Sequence, residues 1–337
     1  MGNIYESQKN MTIADIAEEL GVSKTTISRA ISGKGRISEA TRERVAKCIK
    51  AHDYKPNVIA QSLAQSKTYN VCVTLPGDYN LADLPFFQSA LVGICEYLSQ
   101  RNYDVVVTNT TGENIKNLTR IISNRKVDGV IVTRTMTNGH DVEYLEECKI
   151  PFLTIGSHPD QTVVQVDSNH EEGCREMTDI ILMKGIRKIA LIGGDPNHIV
   201  SQNRYRGFEQ AHKKAKIKIN KNLVFEGITS EVAAMRAVES AIFEQAECII
   251  CMDDNICGYV LKKLNELGLK IPEDIKVASF FGSNLLKNHV PAISSIEFNT
   301  LELGMTAAKV ILDMIDGIEA PQKTMLGYNV VLRESTK

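Results

Sequence analysis

The sequence lacks any apolar run of about 18 residues or more, so it offers no transmembrane helix. Its first residues, MGNIYESQKNM, lack the charged segment followed by an apolar one that marks a secretory signal. We therefore expect a cytoplasmic protein. Hydrophobic residues make up 43% and charged residues 24% of the 337 residues, which is ordinary for a globular protein. At this length, two or three packed domains are expected.

The sequence also lacks the motifs of the common enzyme classes. LIGGD does not match the dinucleotide-binding GxGxxG, and neither a GxxxxGK[ST] phosphate loop nor a GxSxG nucleophile elbow occurs. The seven histidines show no HExxH spacing. An enzyme that carries a DNA-binding module therefore has no support, and we expect neither enzymatic activity nor a cofactor.

Cysteine pairs with metal-binding or redox spacing are scarce. Among the eight cysteines, only CIIC at 248–251 has a two-residue gap. This segment is a predicted strand, in which residues three apart point to opposite faces, so the two thiols cannot bind one ion. We expect the cysteines to be small buried hydrophobic residues and predict no metal site.

The charge is unevenly distributed along the chain. Residues 1–67 carry a net charge of +4 and the remainder −6, within an overall net charge of −2. A polyanion is the partner that the first part would attract.

The positive part contains the signals of three short helices. Thr12 is positioned to cap the first, and Gly21 follows its end. Ser23 is positioned to cap a second helix and Ser38 a third. Two helices joined by a short turn with glycine are typical of the helix-turn-helix unit.

The second predicted helix presents short polar and cationic side chains on one face. Lys24, Thr25, Ser28 and Arg29 lie three and four residues apart, so they are neighbours on the helix surface. Arg29 could bind guanine through two hydrogen bonds, and Lys24 could reach bases or phosphates. From spacing alone, a DNA-reading helix and a solvated face of a small helical bundle both stay open.

After Tyr69, short β-branched runs alternate with amphipathic helical patterns, which is typical of βαβ units and parallel sheet. We expect two successive α/β subdomains with a cleft between them. The predicted strands lie in YNVCVTLPG, YDVVVTNT, VDGVIVTRT, PFLTIGS, KIALIGGD, LVFEGI, CIICMDD and IKVASFFG.

TIADIAEELGVSKTTISRAISGKGRISEATRERV and the following YKPNVIAQSLAQSKT resemble the headpiece and hinge of the lactose-repressor (LacI/GalR) family of bacterial transcriptional regulators. The similarity continues in order through LPFF, VDGVIV, RYRGF, GLKIPEDI and ELGMTAAKVIL, over nearly the whole chain. It implies an all-α helix-turn-helix headpiece and an α/β core of two periplasmic-binding-protein-like subdomains with mostly parallel sheets. It also implies a homodimeric repressor that binds a pseudo-palindromic double-stranded DNA operator and is controlled by a small-molecule effector in the cleft.

The resemblance sets the expected domain limits. The headpiece is expected at 1–57, a hinge helix and linker at 58–67, and the effector-binding and dimerisation core at 68–337. Within the core, the expected N-subdomain covers 68–167 and 299–325, and the C-subdomain covers 168–298 and 326–337.

The resemblance also implies which residues contact DNA. The positions matching Lys24, Thr25 and Arg29 contact bases in the major groove, and Leu63 matches a leucine that wedges into the minor groove. Unstacking a base step in this way costs a few kcal/mol but bends the duplex and gains contact area. The predicted DNA contacts are Thr12, Ser23, Lys24, Thr25, Thr26, Ser28, Arg29, Asn57, Ala60, Leu63 and Lys67.

The polar anchors that sugar-responsive members use are altered here. Phe281 stands in place of a sugar-binding aspartate, Met252 and Asp253 replace an Asn-Asp pair, and Gly156 replaces another aspartate. Arg204 matches a ligand-contacting arginine and, with a second arginine, could hold an anion. We therefore predict an anionic or partly apolar effector. The predicted effector contacts are Phe86, Thr133, Arg134, Arg204, Met252, Asp253 and Phe281.

Several alternatives stay open at the level of sequence. Arg134 could be a surface cation, and Met252 and Phe281 could be packing residues of the cleft floor. The core could instead bind a protein co-effector or serve for dimerisation alone. The sign of the response is also open, because the family contains both inducible and co-repressed members.

Overall fold

The computed structural model describes residues 11–32, 35–52, 54, 67–79 and 84–337. The chain divides into two compact units, Met1–Thr68 and Tyr69–Lys337. The helix expected at 58–65 lies outside the described residues. Within the described part, no helix is both long and apolar enough to cross a membrane.

The first unit is a small helical headpiece with the three predicted helices. Thr12 accepts a hydrogen bond from the Asp15 backbone N–H at 3.3 Å, which confirms it as the cap, and Asp15 in turn accepts from the Thr12 N–H at 2.7 Å, which completes a capping box. Gly21 ends the helix at φ +64°, and Ser38 caps the third. The helices are α1 (Ile13–Leu20), α2 (Lys24–Ser32) and α3 (Glu39–Ala51).

The second unit is an α/β core built on two six-stranded sheets. Its strands are β1 (Asn70–Pro76), β2 (Asp104–Thr110), β3 (Gly129–Val132), β4 (Phe152–Ile155), β5 (Gln165–Ser168), β6 (Ile189–Ile192), β7 (Val224–Phe225), β8 (Cys248–Cys251), β9 (Lys276–Ser279), β10 (Ser294–Phe298), β11 (Lys323–Leu326) and β12 (Tyr328–Val331). Its helices are α4 (Pro85–Ser99), α5 (Lys116–Ser123), α6 (Asp141–Cys148), α7 (His170–Met183), α8 (Ile199–Ala215), α9 (Glu231–Phe243), α10 (Asp254–Glu266), α11 (Asn284–Lys287) and α12 (Thr300–Ile315).

The sheets define a first and a second lobe. The first has the order β11-β5-β4-β3-β1-β2, with all pairs parallel. The second has the order β12-β10-β9-β8-β6-β7, in which only the edge pair β10–β12 is antiparallel. The mostly parallel sheets and the two-lobed core agree with the predicted fold class.

Both faces of each sheet are covered by helices because the strands are apolar on both sides. In β1, Val71 and Val73 pack with α4 and α12, whereas Cys72 packs on the other face with α5 and α6. In β8, Cys251 packs on the side of α9 and α10, and Cys248 on the side of α7 and α8. The opposite orientation predicted for the two CIIC thiols is therefore confirmed.

The chain passes between the described sheets at three points, 168–170, 298–300 and 326–328. All four strands that end or begin at these points, β5, β10, β11 and β12, lie at or next to a sheet edge, and none of them was predicted. The predicted strand in LVFEGI is reduced to Val224–Phe225. Burial of the cysteines was also only partly right, since Cys95 and Cys148 are exposed on the outer sides of helices.

Two glycines allow α4 and α12 to pack backbone against backbone. A Cβ atom at Gly93 would lie 2.1 Å from the Leu301 carbonyl oxygen, and one at Gly304 would lie 2.1 Å from the Ala90 carbonyl oxygen. Both contacts are with main-chain atoms, so the side chains cannot relieve them by changing rotamer.

We expect Gly93→Ala to lower the free energy of unfolding by about 1–3 kcal/mol, because the methyl group forces α4 and α12 apart. Urea or thermal unfolding of the full chain measures this. Gly258→Ala in α10 is the matched control: its nearest neighbour would be Leu285 Cδ2 at 3.5 Å. Alanine there should stabilise by about 0.5–1 kcal/mol through helix propensity. Equal effects of the two substitutions would contradict the proposed close packing.

Candidate functional site

The predicted DNA-reading face of α2 is exposed. Lys24, Thr25, Ser28 and Arg29 are all exposed, whereas Ile27 on the opposite side is fully buried in the headpiece core. The helix contains no acidic residue. It therefore presents two cations and several hydroxyls, a combination suited to phosphates and base edges.

Three of the remaining predicted contacts, Thr12, Ser23 and Thr26, support the starts of α1 and α2. Ser23 Oγ accepts from the Thr26 N–H at 3.1 Å and lies 2.9 Å from Thr26 Oγ1, so these two side chains hold the first turn of α2. Thr12 Oγ1 donates to Asp15 at 2.8 Å. Lys67 is half-buried. The other predicted contacts, Asn57, Ala60 and Leu63, lie outside the described residues.

A cleft of about 390 Å³ lies between the two lobes of the core. Part of its lining comes from residues that closely follow parallel strands, because the carboxyl ends of such strands meet at one edge of a sheet. Arg134 and Gly156 follow β3 and β4 of the first lobe, and Asp195, Asp253 and Phe281 follow β6, β8 and β9 of the second.

The structure brings six of the seven predicted effector contacts to this cleft. They are Phe86, Thr133, Arg134, Arg204, Asp253 and Phe281. The exception is Met252, whose side chain is 2% exposed and packs in the hydrophobic core of the second lobe. Strand alternation points its side chain away from the cleft, and only its carbonyl oxygen takes part, as the acceptor of a 2.6 Å bond from Arg204 Nη1.

Arg134 is not a surface cation. Its side chain is 11% exposed, and Nη1 lies 2.8 Å from Asp78 Oδ1. Its guanidinium also lies 5.6 Å from the centroid of the Tyr79 ring. An acid of the same lobe therefore already neutralises this arginine, and Arg134 does not offer an unpaired charge to an anion.

Arg204 sits on α8 between the carboxyl groups and the aromatic wall. It is 8% exposed, and its guanidinium lies 5.9 Å from the centroid of Phe281. Its Nη1 donates to the Met252 carbonyl, whereas its buried Nε has no hydrogen-bond partner among the described residues. A buried donor without a partner costs about 1–3 kcal/mol, so a ligand acceptor at this atom would be favoured.

Acids outnumber bases in the described lining of the cleft, with five aspartates against two arginines. Burial raises the pKa of Asp253, with Arg204 and two backbone N–H groups opposing the shift. Burial likewise raises the pKa of Asp254 and Asp167. Burial lowers the pKa of His198. The lining is therefore negative to neutral near pH 7, which disfavours an anionic ligand.

The sequence reasoning missed several of these groups. Asp78, Tyr79, Asp195 and Asp254 line the cleft, and each follows a strand closely, as the predicted contact Asp253 does. Their position after predicted parallel strands was the signal that could have found them.

An aromatic contact joins the two lobes across the cleft. Phe86 at the start of α4 and Phe281 after β9 lie with their centroids 6.0 Å apart at an interplanar angle of 76°. Phe281 also stacks at 6.1 Å on Phe298. The position at which sugar-responsive relatives are expected to carry a carboxylate is thus part of an apolar wall.

His170 is buried at the start of α7 and uncharged. Burial lowers its pKa well below the usual range, and Arg204 adds to the shift. Asp167 Oδ1 is 3.7 Å from His170 Nε2, too far for a hydrogen bond. The Asp167 oxygens accept instead from Ser157 Oγ at 2.6 Å and the Ser168 N–H at 2.7 Å.

Two family profiles match the chain. Residues 12–57 match "Bacterial regulatory proteins, lacI family", and residues 178–336 match "Periplasmic binding protein-like domain". The HTH-type transcriptional repressor PurR of Aliivibrio fischeri (strain MJ11) is 28% identical over 312 residues, covering 90% of this chain and 91% of PurR. The chain thus joins a lacI-family DNA-binding domain to a periplasmic-binding-protein-like domain.

Other lacI-family relatives span the chain as fully. The HTH-type transcriptional regulator MalR of Streptococcus pneumoniae serotype 4 is 29% identical over 318 residues, 91% of this chain and 93% of MalR. Among solved structures, a transcriptional regulator CelR–cellobiose complex is 25% identical with a TM-score of 0.75, covering 96% of this chain and 99% of CelR. The lac repressor dimer bound to operator and the anti-inducer ONPF, 22% identical over 97% of this chain and 99% of that one, has the same fold with a TM-score of 0.80.

These similarities cover headpiece and core together. The chain is therefore a DNA-binding transcriptional regulator with an effector-binding core.

We expect the buried His170 to make the regulator less stable in acid. The unfolded side chain binds a proton below pH about 6.5 and the folded one does not, so stability is lost as the pH falls through this value. Between pH 7 and 5.5 the loss should be about 1 kcal/mol relative to His170→Gln, measured by urea unfolding. His140→Gln removes an exposed histidine and should leave the wild-type pH dependence intact. If the free energy of unfolding changes with pH equally in wild type and His170→Gln, His170 binds its proton in the folded core as readily as in the unfolded chain, which would contradict the prediction.

Proposed function

We propose that this lacI-family regulator is a repressor that binds a pseudo-palindromic operator as a homodimer and responds to a small uncharged metabolite. The observation that supports the effector class best is the cleft of about 390 Å³, with an aromatic wall and more carboxyl groups than arginines. We also propose the domain limits stated from the sequence, cytoplasmic action and the absence of enzymatic activity.

The exposed face of α2 supports sequence-specific reading of DNA. Arg29 is the residue whose planar guanidinium can bind guanine O6 and N7 together, and Lys24 adds a second cation at the start of the helix. Thr25 and Ser28 lie between them on the same surface and can serve bases or phosphates.

A homodimer follows from the size of the reading unit. One recognition helix contacts only a few base pairs, so a two-fold pair of headpieces on two half-sites is the usual arrangement for helix-turn-helix regulators. The lac repressor structure with the same fold is described as a dimer bound to operator. We propose that Asn57, Ala60 and Leu63 act at the centre of such a site and that Lys67 contacts the backbone.

The chemistry of the cleft supports a ligand with hydroxyl groups and one apolar face. Carboxyl groups such as Asp253 accept hydrogen bonds from hydroxyls, and Arg204 offers a donor. Phe86 and Phe281 offer flat apolar surfaces that a sugar ring or another compact metabolite could cover. CelR, with a comparable core, is described in complex with cellobiose, which supports a carbohydrate as the first class to test.

Arg134 and Arg204, which suggested an anionic effector from the sequence, give less support to an anion in the structure. Arg134 is held by Asp78, and Arg204 donates to a backbone carbonyl close to the half-buried Asp253 and the buried Asp254. An anion entering this cleft would meet the unfavourable field of the surrounding carboxylates. The two alternatives, a protein co-effector and a core that binds no ligand, are distinguished from a small-molecule effector by the ligand experiment below.

We expect Arg29→Ala to relax base preference at one position in each half-site and to cost about 1–3 kcal/mol of operator binding. Arg29→Lys keeps the charge but loses the two-pronged geometry, so it should lose the base preference while keeping the dependence of affinity on salt. Binding-site selection with each variant measures the preference, and titrations at several salt concentrations measure the slope.

Lys67→Ala is the contrasting variant for the same experiment. Loss of a phosphate contact should weaken binding to all sequences alike and reduce the salt slope by about 1. If the Arg29→Ala protein recovers the same sequence logo as wild type, Arg29 does not read bases.

We expect neutral sugars or polyols, and not sugar phosphates or carboxylates, to raise the melting temperature of the full chain. A ligand at 100 times its Kd stabilises the folded state by about 2.7 kcal/mol. Phe281→Leu should reduce this shift because it removes a flat ring from the cleft. Phe243→Leu, at a side chain that is 85% exposed on α9, is the matched control and should leave the shift unchanged.

Two results would contradict the proposal for the effector. A larger shift with the phosphorylated form of a sugar than with the sugar itself would favour an anion. No shift with any small molecule, while operator binding persists, would favour a core that serves for dimerisation or binds a protein.

A further inference from the structure

Three side chains with metal-ligand chemistry converge in the headpiece, away from the α2 face. Glu19 projects from the end of α1, Cys48 from α3, and His52 directly follows α3. Their donor atoms all lie within 4.8 Å of one another. His52 Nε2 lies 3.0 Å from Glu19 Oε2 and 3.2 Å from Oε1.

The local structure of α3 explains why Cys48 and His52 meet. The His52 backbone N–H donates to the Cys48 carbonyl at 3.1 Å, so His52 continues the last helical turn. Residues four apart on a helix lie on one face, and a thiol and an imidazole at this spacing can bind one ion. The packing of α1 against α3 then adds the Glu19 carboxylate as a third ligand.

The distances suit a small tetrahedral ion. With metal–nitrogen and metal–oxygen bonds of about 2.0–2.1 Å and a metal–sulfur bond of about 2.3 Å, neighbouring ligand atoms lie about 3.3–3.6 Å apart. The histidine and glutamate atoms are already near this separation, and small rotations would bring the sulfur to it. The fourth position would be taken by water.

One ligand of the site is buried and the other two are open to solvent. Cys48 is 6% exposed within the headpiece core, whereas Glu19 and His52 are exposed by 46% and 39% and leave an open path for an ion. A thiolate with an imidazole and a carboxylate is typical of Zn²⁺ and disfavours Mg²⁺ and Ca²⁺, which prefer oxygen ligands alone.

We propose that Glu19, Cys48 and His52 bind Zn²⁺ in the headpiece, with Cys48 bound as the thiolate and its proton released to solvent. The ion links α1 to α3, which together support α2. Small domains of this size are stabilised by few core residues, so such a link contributes to headpiece stability. The sequence reasoning tested only CIIC and missed the Cys-x-x-x-His spacing at 48–52.

Titration of the full chain with Co²⁺, a spectroscopic substitute for Zn²⁺, tests the site. The parent protein for this experiment carries Cys95→Ser and Cys148→Ser, which remove the exposed thiols. We expect a sulfur-to-cobalt charge-transfer band in the near ultraviolet that one equivalent of Zn²⁺ abolishes. Zn²⁺ alone should raise the melting temperature of the headpiece.

The variants His52→Gln and Glu19→Gln carry the test because both side chains are exposed and outside the core. Each should weaken Co²⁺ binding by about tenfold or more. Substituting a residue that only hydrogen-bonds to a metal ligand already weakens metal affinity by about 10–100-fold, and these variants remove a ligand itself. His140→Gln, another exposed histidine beside a glutamate, should leave the titration unchanged. Cys48→Ser should abolish the band.

Two outcomes would overturn the site. One is the absence of a charge-transfer band in the parent protein. The other is a band of the same strength and affinity in His52→Gln as in His140→Gln, because His52 would then not be a ligand of the ion.

Discussion

Parallel strand pairing is the constraint on which the functional core depends. In each sheet the central strands run in the same direction, so every segment that leaves a strand at its carboxyl end leaves at the same edge. The two lobes turn these edges toward each other. Residues that are 60 to 150 positions apart in the chain, such as Arg134, Asp195 and Phe281, therefore line one cleft.

The same constraint explains the balance of charge in the cleft. Helices that follow strands start at this edge, and acids such as Asp253 cap them, accepting from the Ile256 N–H at 2.8 Å. Burial raises the pKa of Asp253, and Arg204 on α8 opposes the shift. The cleft is thus polar and partly neutralised, and an aromatic contact between Phe86 and Phe281 joins the lobes.

Much of the architecture could be predicted from short-range patterns. The capping residues Thr12, Ser23 and Ser38 mark the headpiece helices because capping is a local interaction between a side chain and a nearby N–H group. The eight predicted strands are apolar runs, and those in β1 and β8 pack on both faces. The strands β5, β10, β11 and β12 were missed because each mixes polar residues, such as serine, lysine, asparagine or glutamate, with its apolar ones.

Whether an individual side chain reaches the cleft depends on the direction in which it points from the backbone. Met252 and Asp253 are neighbours in sequence, yet strand geometry sends one into the core and the other to the cleft. Arg134 is paired with Asp78, which lies 56 residues away in the chain, so its charge is not available to an anion.

The sequence by itself determined the helix-turn-helix headpiece, the βαβ rhythm of the core and the family, since these rest on local periodicity, capping and the order of motifs. Only the tertiary structure decided which aspartates face the effector, that Phe281 meets Phe86, and that Cys48 and His52 meet Glu19. Those contacts join residues far apart in the chain, and their distances follow from how helices and sheets pack.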